Sequence, residues 1–367
     1  MNKRERVRKS IRHIEPDRLP RYDSFWEDTL TKWHQQGETA EGLELQDKFG
    51  FDIVQFYLDN SFRLEPEMLK NDGKMITVRD RCGYTAEKFI GKSRTLHMYD
   101  HVTKDLESWK LLKKRLRVDI DEFSRVDSNP FFMRCDPSPT WSEAAARFRN
   151  VYDTGKYVMM NSYGPFEAAW RHRGFTELLM DTATDEAFIN DIFWAHTNLI
   201  IETLSKCLDL GIKPDGFFLI EDLGHTGGLL ISPDVYRRTI SPCHRKLGDF
   251  LHSRDIDFIM HSCGKVKELI PDFISEGLDV LQALEAKADQ NVAVLKHEYG
   301  KDLAFMGNID VMKLAGTVSD IEEEIQGKII PAMKGGGYIY HSDHSIPPEV
   351  SLGNYRYLMK RLDDLTY

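Results

Sequence analysis

His261 and Cys263 stand two residues apart, directly after the apolar run Phe258-Ile259-Met260. Alternate residues of an extended chain point the same way, so an imidazole and a thiol at this spacing can grip one ion. That borderline-soft pair suits zinc. A hydrogen-bonded histidine beside an inert buried thiol reads the same, so the pair gains weight only from further donors. Glu221 closes Phe217-Phe218-Leu219-Ile220, where a carboxylate is costly unless partnered. His344 follows Gly335-Gly336-Gly337, glycines that permit a sharp turn. Glu221, His261, Cys263 and His344 are the expected metal ligands. His341 and Asp343 are substitutes for His344 if the turn faces the other way. A helix-capping or base role stays open for Glu221, and a substrate hydrogen bond for His344.

The elements that must position these residues read as alternating strands and helices. Strands are expected at 19–24, 51–57, 157–162, 216–221, 257–261, 279–283, 303–307 and 338–341. Helical periodicity covers 185–210, 235–254, 266–276 and 318–334. Eight strands with intervening helices fit an α/β parallel (β/α)₈ TIM barrel, and a doubly wound sheet gives a similar pattern. The stretch 58–156 breaks the alternation with a hairpin (75–78 and 84–89) and a charged helix near 104–117. It is expected to elaborate the connection after the second strand of one barrel domain spanning 1–367. A barrel carries its chemistry at the C-terminal strand ends. Those ends hold Asp23, Asp59, Asn161-Ser162-Tyr163, Glu221-Asp222, His261-Ser262-Cys263, Glu285, Asn308-Ile309-Asp310 and His341-Ser342-Asp343-His344.

Composition narrows the function classes. The 367 residues are 41% hydrophobic, enough for a large core, and their net charge of −10 argues against nucleic-acid or anionic-membrane partners. No apolar run reaches a membrane span, and no apolar segment follows the charged N-terminus as in a signal peptide. Five cysteines, at 82, 135, 207, 243 and 263, form no disulfide framework. A cytoplasmic enzyme is expected, and a homodimer is compatible with this sequence. Phosphate-loop, dinucleotide, serine-hydrolase and zincin motifs are missing.

From about residue 161 onward, and at Glu15-Pro16-Asp17-Arg18-Leu19-Pro20, the chain resembles the uroporphyrinogen decarboxylase-like superfamily. That group includes the zinc-dependent, corrinoid-linked methyltransferases of anaerobes. The resemblance rests on Gly164-Pro165-Phe166-Glu167, Glu221-Asp222-Leu223-Gly224, Ile231-Ser232-Pro233, His261-Ser262-Cys263-Gly264, Gly307-Asn308-Ile309-Asp310, and Gly335-Gly336-Gly337-Tyr338 with His344-Ser345-Ile346-Pro347. It implies a (β/α)₈ barrel with a funnel at the strand C-termini. It places Asp52 where the decarboxylase has its essential aspartate and Trp170 in place of its active-site tyrosine. The decarboxylase's arginine-rich motif is reduced to Pro20-Arg21-Tyr22-Asp23, poorly matched to a tetracarboxylate. His261 and Cys263 match the methyltransferase His-x-Cys, whereas the second Cys of that pattern falls on His344.

One thiolate fewer leaves zinc more electrophilic, which suits activating an ether oxygen. The resemblance with this departure from its pattern leads to the expectation of an O-demethylase component that moves a methyl group from a methoxylated aromatic to the Co(I) of a separate corrinoid protein. No Asp-x-His-x-x-Gly corrinoid segment is present, since His252-Ser253-Arg254-Asp255 and His297-Glu298-Tyr299-Gly300 lack its spacing. Proton donors are sought among Glu167, Asp222 and His225, and donor walls among Tyr22, Phe25, Trp26, Tyr57, Tyr163, Trp170 and Asn308. The alternatives are a metal-free decarboxylase or lyase working through Asp52 and His344, a thiol-methylating methyltransferase, and a non-catalytic tetrapyrrole-binding barrel.

Overall fold

Near-continuous apolar runs make strands that are buried on both faces, and these build the barrel. The computed structural model describes residues 1–92, 96–118 and 122–367. In chain order the strands are β1 (Ile53–Leu58), β2 (Glu67–Asn71), β3 (Met75–Arg79), β4 (Thr85–Phe89), β5 (His97–Tyr99), β6 (Val126–Asp127) and β7 (Tyr157–Tyr163). They continue with β8 (Gly216–Ile220), β9 (Gly224–His225), β10 (Gly228–Leu229), β11 (Asp257–Ser262), β12 (Val280–Ala283), β13 (Ala304–Met306) and β14 (Tyr338–Ile339). The central sheet runs β14-β13-β12-β11-β8-β7-β1-β6, parallel except for β6.

The segment expected as the first strand forms bridges rather than a ladder. Tyr22 N–H donates to Tyr340 O (3.1 Å), Tyr340 N–H to Pro20 O (2.9 Å) and Asp52 N–H to Arg21 O (2.9 Å), so it links β14 to β1. The fold is a (β/α)₈ barrel. Helices Pro165–Arg173, Glu186–Asp209, Ser241–His252 and Val292–Tyr299 are among those wrapping it. The expected helix at 235–254 divides into Pro233–Thr239 and Ser241–His252, with Pro242 in the first turn of the second.

The helix Lys3–Ile11 lies against the N-terminal ends of the strands. Its Arg6 pairs with Asp52 (2.6 Å), its Arg4 and Arg8 with Asp215 (2.9 and 3.0 Å), and Arg12, which caps its C-terminus, with Asp257 (2.5 Å). These ion pairs fasten the end of the barrel opposite its mouth.

The hairpin expected between 75 and 89 is present as β3 and β4, flanked by β2 and β5 in a four-stranded antiparallel sheet. The helix expected near 104–117 spans Leu106–Lys113. A packed joint ties this region to the barrel. Trp109 stacks on His172 (5.6 Å between ring centroids, 6°), and Thr103 Oγ1 lies 2.7 Å from His172 Nδ1. His172 Nε2 in turn lies 3.1 Å from His196 Nε2. Burial pushes both imidazoles down, His196 to about 4.

Candidate functional site

Strand parity decides what faces the barrel mouth. Ile220 lies opposite His261 in the β8–β11 ladder, and His261 lies opposite Gln282 in β11–β12. Two residues beyond Ile220, Asp222 turns back to the same side. Its Oδ1 lies 3.2 Å from His261 Nε2 and accepts a hydrogen bond from Cys263 N–H at 2.9 Å. Cys263 Sγ lies 3.3 Å from His261 Nε2. Among the described residues, Asp222, His261 and Cys263 form the one such cluster of three donors, all within 4.8 Å of one another.

A tetrahedral zinc with bonds near 2.0–2.3 Å separates its ligand atoms by about 3.3–3.6 Å. The nitrogen-to-oxygen and nitrogen-to-sulfur separations here, 3.2 and 3.3 Å, are close to that spacing. His261 also presents Nδ1 to Gln282 Oε1, leaving Nε2 directed at the cluster. The donor set and its support therefore fit zinc.

Electrostatics link the three groups. Burial opposes charge on His261, but the Cys263 sulfur and Asp222 outweigh it and hold its pKa well above normal. Burial also acts against Asp222, yet hydrogen bonds from His261 and Cys263 bring its pKa below the usual carboxylate range. Asp222 is thus an anion, and the negative partners that favour a proton on His261 Nε2 would equally favour a metal cation there, the ion displacing that proton. The loop that follows depends on Gly264. Its φ is +78°, and a Cβ there would lie 2.2 Å from the backbone of Gly224, so only glycine lets this loop cross the β9–β10 hairpin.

The structure does not bring Glu221 to this cluster, which corrects the expected ligand set. Its side chain points to the opposite face of β8, where it is fully buried. There it accepts hydrogen bonds from Phe166 N–H (3.1 Å) and Glu167 N–H (3.0 Å) and pairs with His244 Nε2 (3.2 Å). A carboxylate at the start of the helix Pro165–Arg173 satisfies otherwise orphaned amides. The contact is so close that a Cβ on Gly164 would lie 2.3 Å from Glu221 Oε2. His244 sits between Glu221 and Glu276; burial disfavours its charge, but the two carboxylates raise its pKa to about 9.

His344 stands outside the three-donor cluster and stacks on Trp26 (5.5 Å, 27°). His341 is buried, with Nδ1 at 3.4 Å from Gln282 Nε2, at 3.7 Å from Asp23 and beside Ser342 O. Asp343 accepts from Ala286 N–H and Val311 N–H and holds two loops together.

Asp52 is a second correction. It precedes β1, at the N-terminal end of the barrel, and its carboxylate is held by Arg6 and Arg18 (both Arg18 contacts 2.9 Å). The acid at the mouth end of that strand is Asp59, buried among Arg63 (3.6 Å) and Arg81 (3.7 Å). Asn308 and Phe25 are also displaced from their expected roles. Asn308 is fully buried and spends its amide on Leu284 O, Gln290 O and Val292 N–H. Phe25 packs in a ring cluster with Trp33, Phe49, Phe51 and Tyr355. Tyr22 is buried 5.7 Å from the rings of both Phe51 and His341.

The three expected proton donors separate clearly. His225 is exposed on the β9–β10 hairpin, where its Nδ1 accepts from Gly227 N–H (3.1 Å). Asp222 is anionic. Glu167 is buried, and its pKa is raised toward neutrality by burial and by the charge of Asp222, against the pull of Arg171. It accepts from Trp170 Nε1 (2.8 Å) and Arg171 Nη2 (2.6 Å), while Arg171 lies over the Tyr163 ring at 3.7 Å. A cavity of about 290 Å³ opens at the mouth. Tyr57, Asn161 and Tyr163 line it from the barrel, and Phe131 and Phe132 line it from the segment between β1 and β7. The sequence reading missed Gln282, Phe131 and Phe132; a lone glutamine in the apolar strand Val280–Ala283 was the available sign of the first.

The profile of the uroporphyrinogen decarboxylase family matches residues 111–365, well over half of the sequence. The chain belongs to the uroporphyrinogen decarboxylase family. The matched span takes in β7, β8 and β11–β14, so every residue of the three-donor cluster falls inside it. Among solved structures, this family member is similar to a methyltransferase from Methanosarcina mazei. The identity is 14%, 99% of each chain is covered and the TM-score is 0.66. It is also similar to a putative vitamin-B12 independent methionine synthase from Listeria monocytogenes, with 12% identity, 96% and 99% of the two chains covered and a TM-score of 0.45. No curated protein sequence matches the chain.

Proposed function

We propose that the chain is a zinc-dependent methyltransferase that takes a methyl group from a small methoxylated aromatic and delivers it to the Co(I) of a separate corrinoid protein. The observation that carries this reading is the convergence of Asp222, His261 and Cys263 at the barrel mouth, with Ile220, the ladder partner of His261, lining the adjoining cavity. The full-length likeness to a protein described as a methyltransferase supports it.

Asp222, His261 and Cys263 would hold the ion, and zinc bound there supplies Lewis acidity toward an ether oxygen. A single thiolate in the set keeps that acidity high. Tyr57, Tyr163, Phe131 and Phe132 offer ring faces for a flat donor, and Asn161 offers an amide for its polar substituent. Glu167 holds a proton near neutrality and is the group assigned to protonate the leaving oxygen, so the donor departs as a phenol. Trp170 Nε1 and Arg171 Nη2 fix that carboxyl, one on each oxygen. The corrinoid protein would dock over the strand C-termini, and no membrane-spanning helix is present among the described residues.

The test mixes purified enzyme, a corrinoid protein reduced to Co(I) and a panel of aryl methyl ethers, following the Co(I) absorbance. Expected is donor-dependent conversion to methyl-Co(III) that disappears in His261→Ala while the fold is kept. Unchanged turnover in His261→Ala would sink the metal reading.

A further inference from the structure

We infer that Gln282 is the positioning residue that makes His261 a metal ligand, by accepting the Nδ1 proton and so turning the Nε2 lone pair toward Asp222 and Cys263. The inference rests on the metal reading proposed above and adds a residue outside the donor set. Gln282 lies directly opposite His261 in the β11–β12 ladder and is 5% exposed, so its amide is committed to protein partners. Its Oε1 meets His261 Nδ1, and its Nε2 faces His341 Nδ1 at 3.4 Å. The other edge of the same imidazole faces Asp222 Oδ1 and Cys263 Sγ, at 3.2 and 3.3 Å.

A neutral imidazole has one N–H and one lone pair, and the partner on one nitrogen decides which is which. An acceptor at Nδ1 places the proton there and exposes the lone pair at Nε2, the arrangement a metal needs. A donor at Nδ1 would do the reverse and place N–H against the cluster. Gln282 can present either end of its amide, and only the orientation found here, with oxygen toward His261, leaves the site able to bind. Removing such a partner from a metal-bound histidine weakens the site by about 10- to 100-fold.

The experiment measures zinc affinity by competition with a chromophoric chelator, together with the absorption spectrum of the cobalt(II)-substituted protein. Gln282→Met, close in size but unable to accept the proton, is expected to lose affinity about 10- to 100-fold and to shift the cobalt bands. Gln282→Glu, an acceptor only, should bind zinc at least as tightly as wild type. Should Gln282→Met not fold, Gln282→Asn keeps an amide but withdraws it by one methylene, and the same loss is expected. Wild-type affinity in Gln282→Met would overturn the role of Gln282 alone, as would equal losses in Gln282→Met and Gln282→Glu. A wild-type protein that takes up no zinc would overturn the metal reading and this inference with it.

Discussion

Replacing Glu221 with glutamine separates the two readings of that residue. The carboxylate caps two amides of the helix Pro165–Arg173 and pairs with a buried His244. Glutamine keeps the shape and one acceptor oxygen, but it turns an NH₂ toward one of those donors and removes the charge facing His244. Hydrogen bonds to a charged group contribute about 1.5–3 kcal/mol each, and breaking a buried ion pair costs about 3–5 kcal/mol. The two overlap on one carboxylate, so a loss of about 3–5 kcal/mol is expected for Glu221→Gln. Set against the unfolding entropy of a chain this long, that lowers Tm by about 4–6 °C. Zinc content should not change, because the side chain points away from His261 and Cys263. Calorimetry of the metal-free protein and metal analysis of the same sample read the two effects separately. Loss of zinc with an unmoved Tm would refute the geometry and return Glu221 to the ligand set.

Gly164→Ala should mimic that loss from the other side, since its Cβ would collide with Glu221 Oε2; a Tm equal to wild type would show that the helix start can shift freely. Asp52→Asn should cost stability through Arg6 and Arg18 while leaving zinc content and turnover in place, and lost turnover at unchanged Tm would put Asp52 back in the chemistry. The joint at His172 and His196 should weaken in acid. Both folded pKa values lie below the unfolded value near 6.5, so the unfolded chain takes up protons first and stability falls as pH drops through 6.5, levelling off near 4 for His196. From His196 alone the stability gap between wild type and His196→Met should narrow by about 2 kcal/mol between pH 8 and pH 5, measured by urea unfolding. A gap that does not change with pH would contradict the neutral buried pair.

The barrel is legible because its strands are apolar runs broken at regular intervals by helical periodicity, and the three-donor cluster lies at the C-terminal ends of two of those strands. Errors came where two candidates adjoin. Glu221 and Asp222 are neighbouring carboxylates after one strand, and side-chain alternation sends them to opposite faces. The register of Ile220 with His261 selects Asp222, but a register is visible only once strands pair. Asp52 and Asp59 bracket the same strand. Chain direction alone puts Asp52, which precedes Ile53–Leu58, at the closed end, so the local motif and the barrel's polarity disagree here and the polarity holds. Phe25 and Asn308 show a different limit, since an aromatic ring or an amide reads alike in a core, a loop clamp or a pocket. Phe131 and Phe132 reach the mouth from a long connection whose path no periodicity announces.

The central claim is that Asp222, His261 and Cys263 together hold one zinc ion. Its most direct test is metal content by mass spectrometry on protein purified without added metal, beside Cys263→Ala and Asp222→Ala. The account predicts about one zinc per wild-type chain, with most of it lost from both variants while their folds are kept. Zinc retained in both variants, or no uptake by wild type when zinc is supplied, would contradict it.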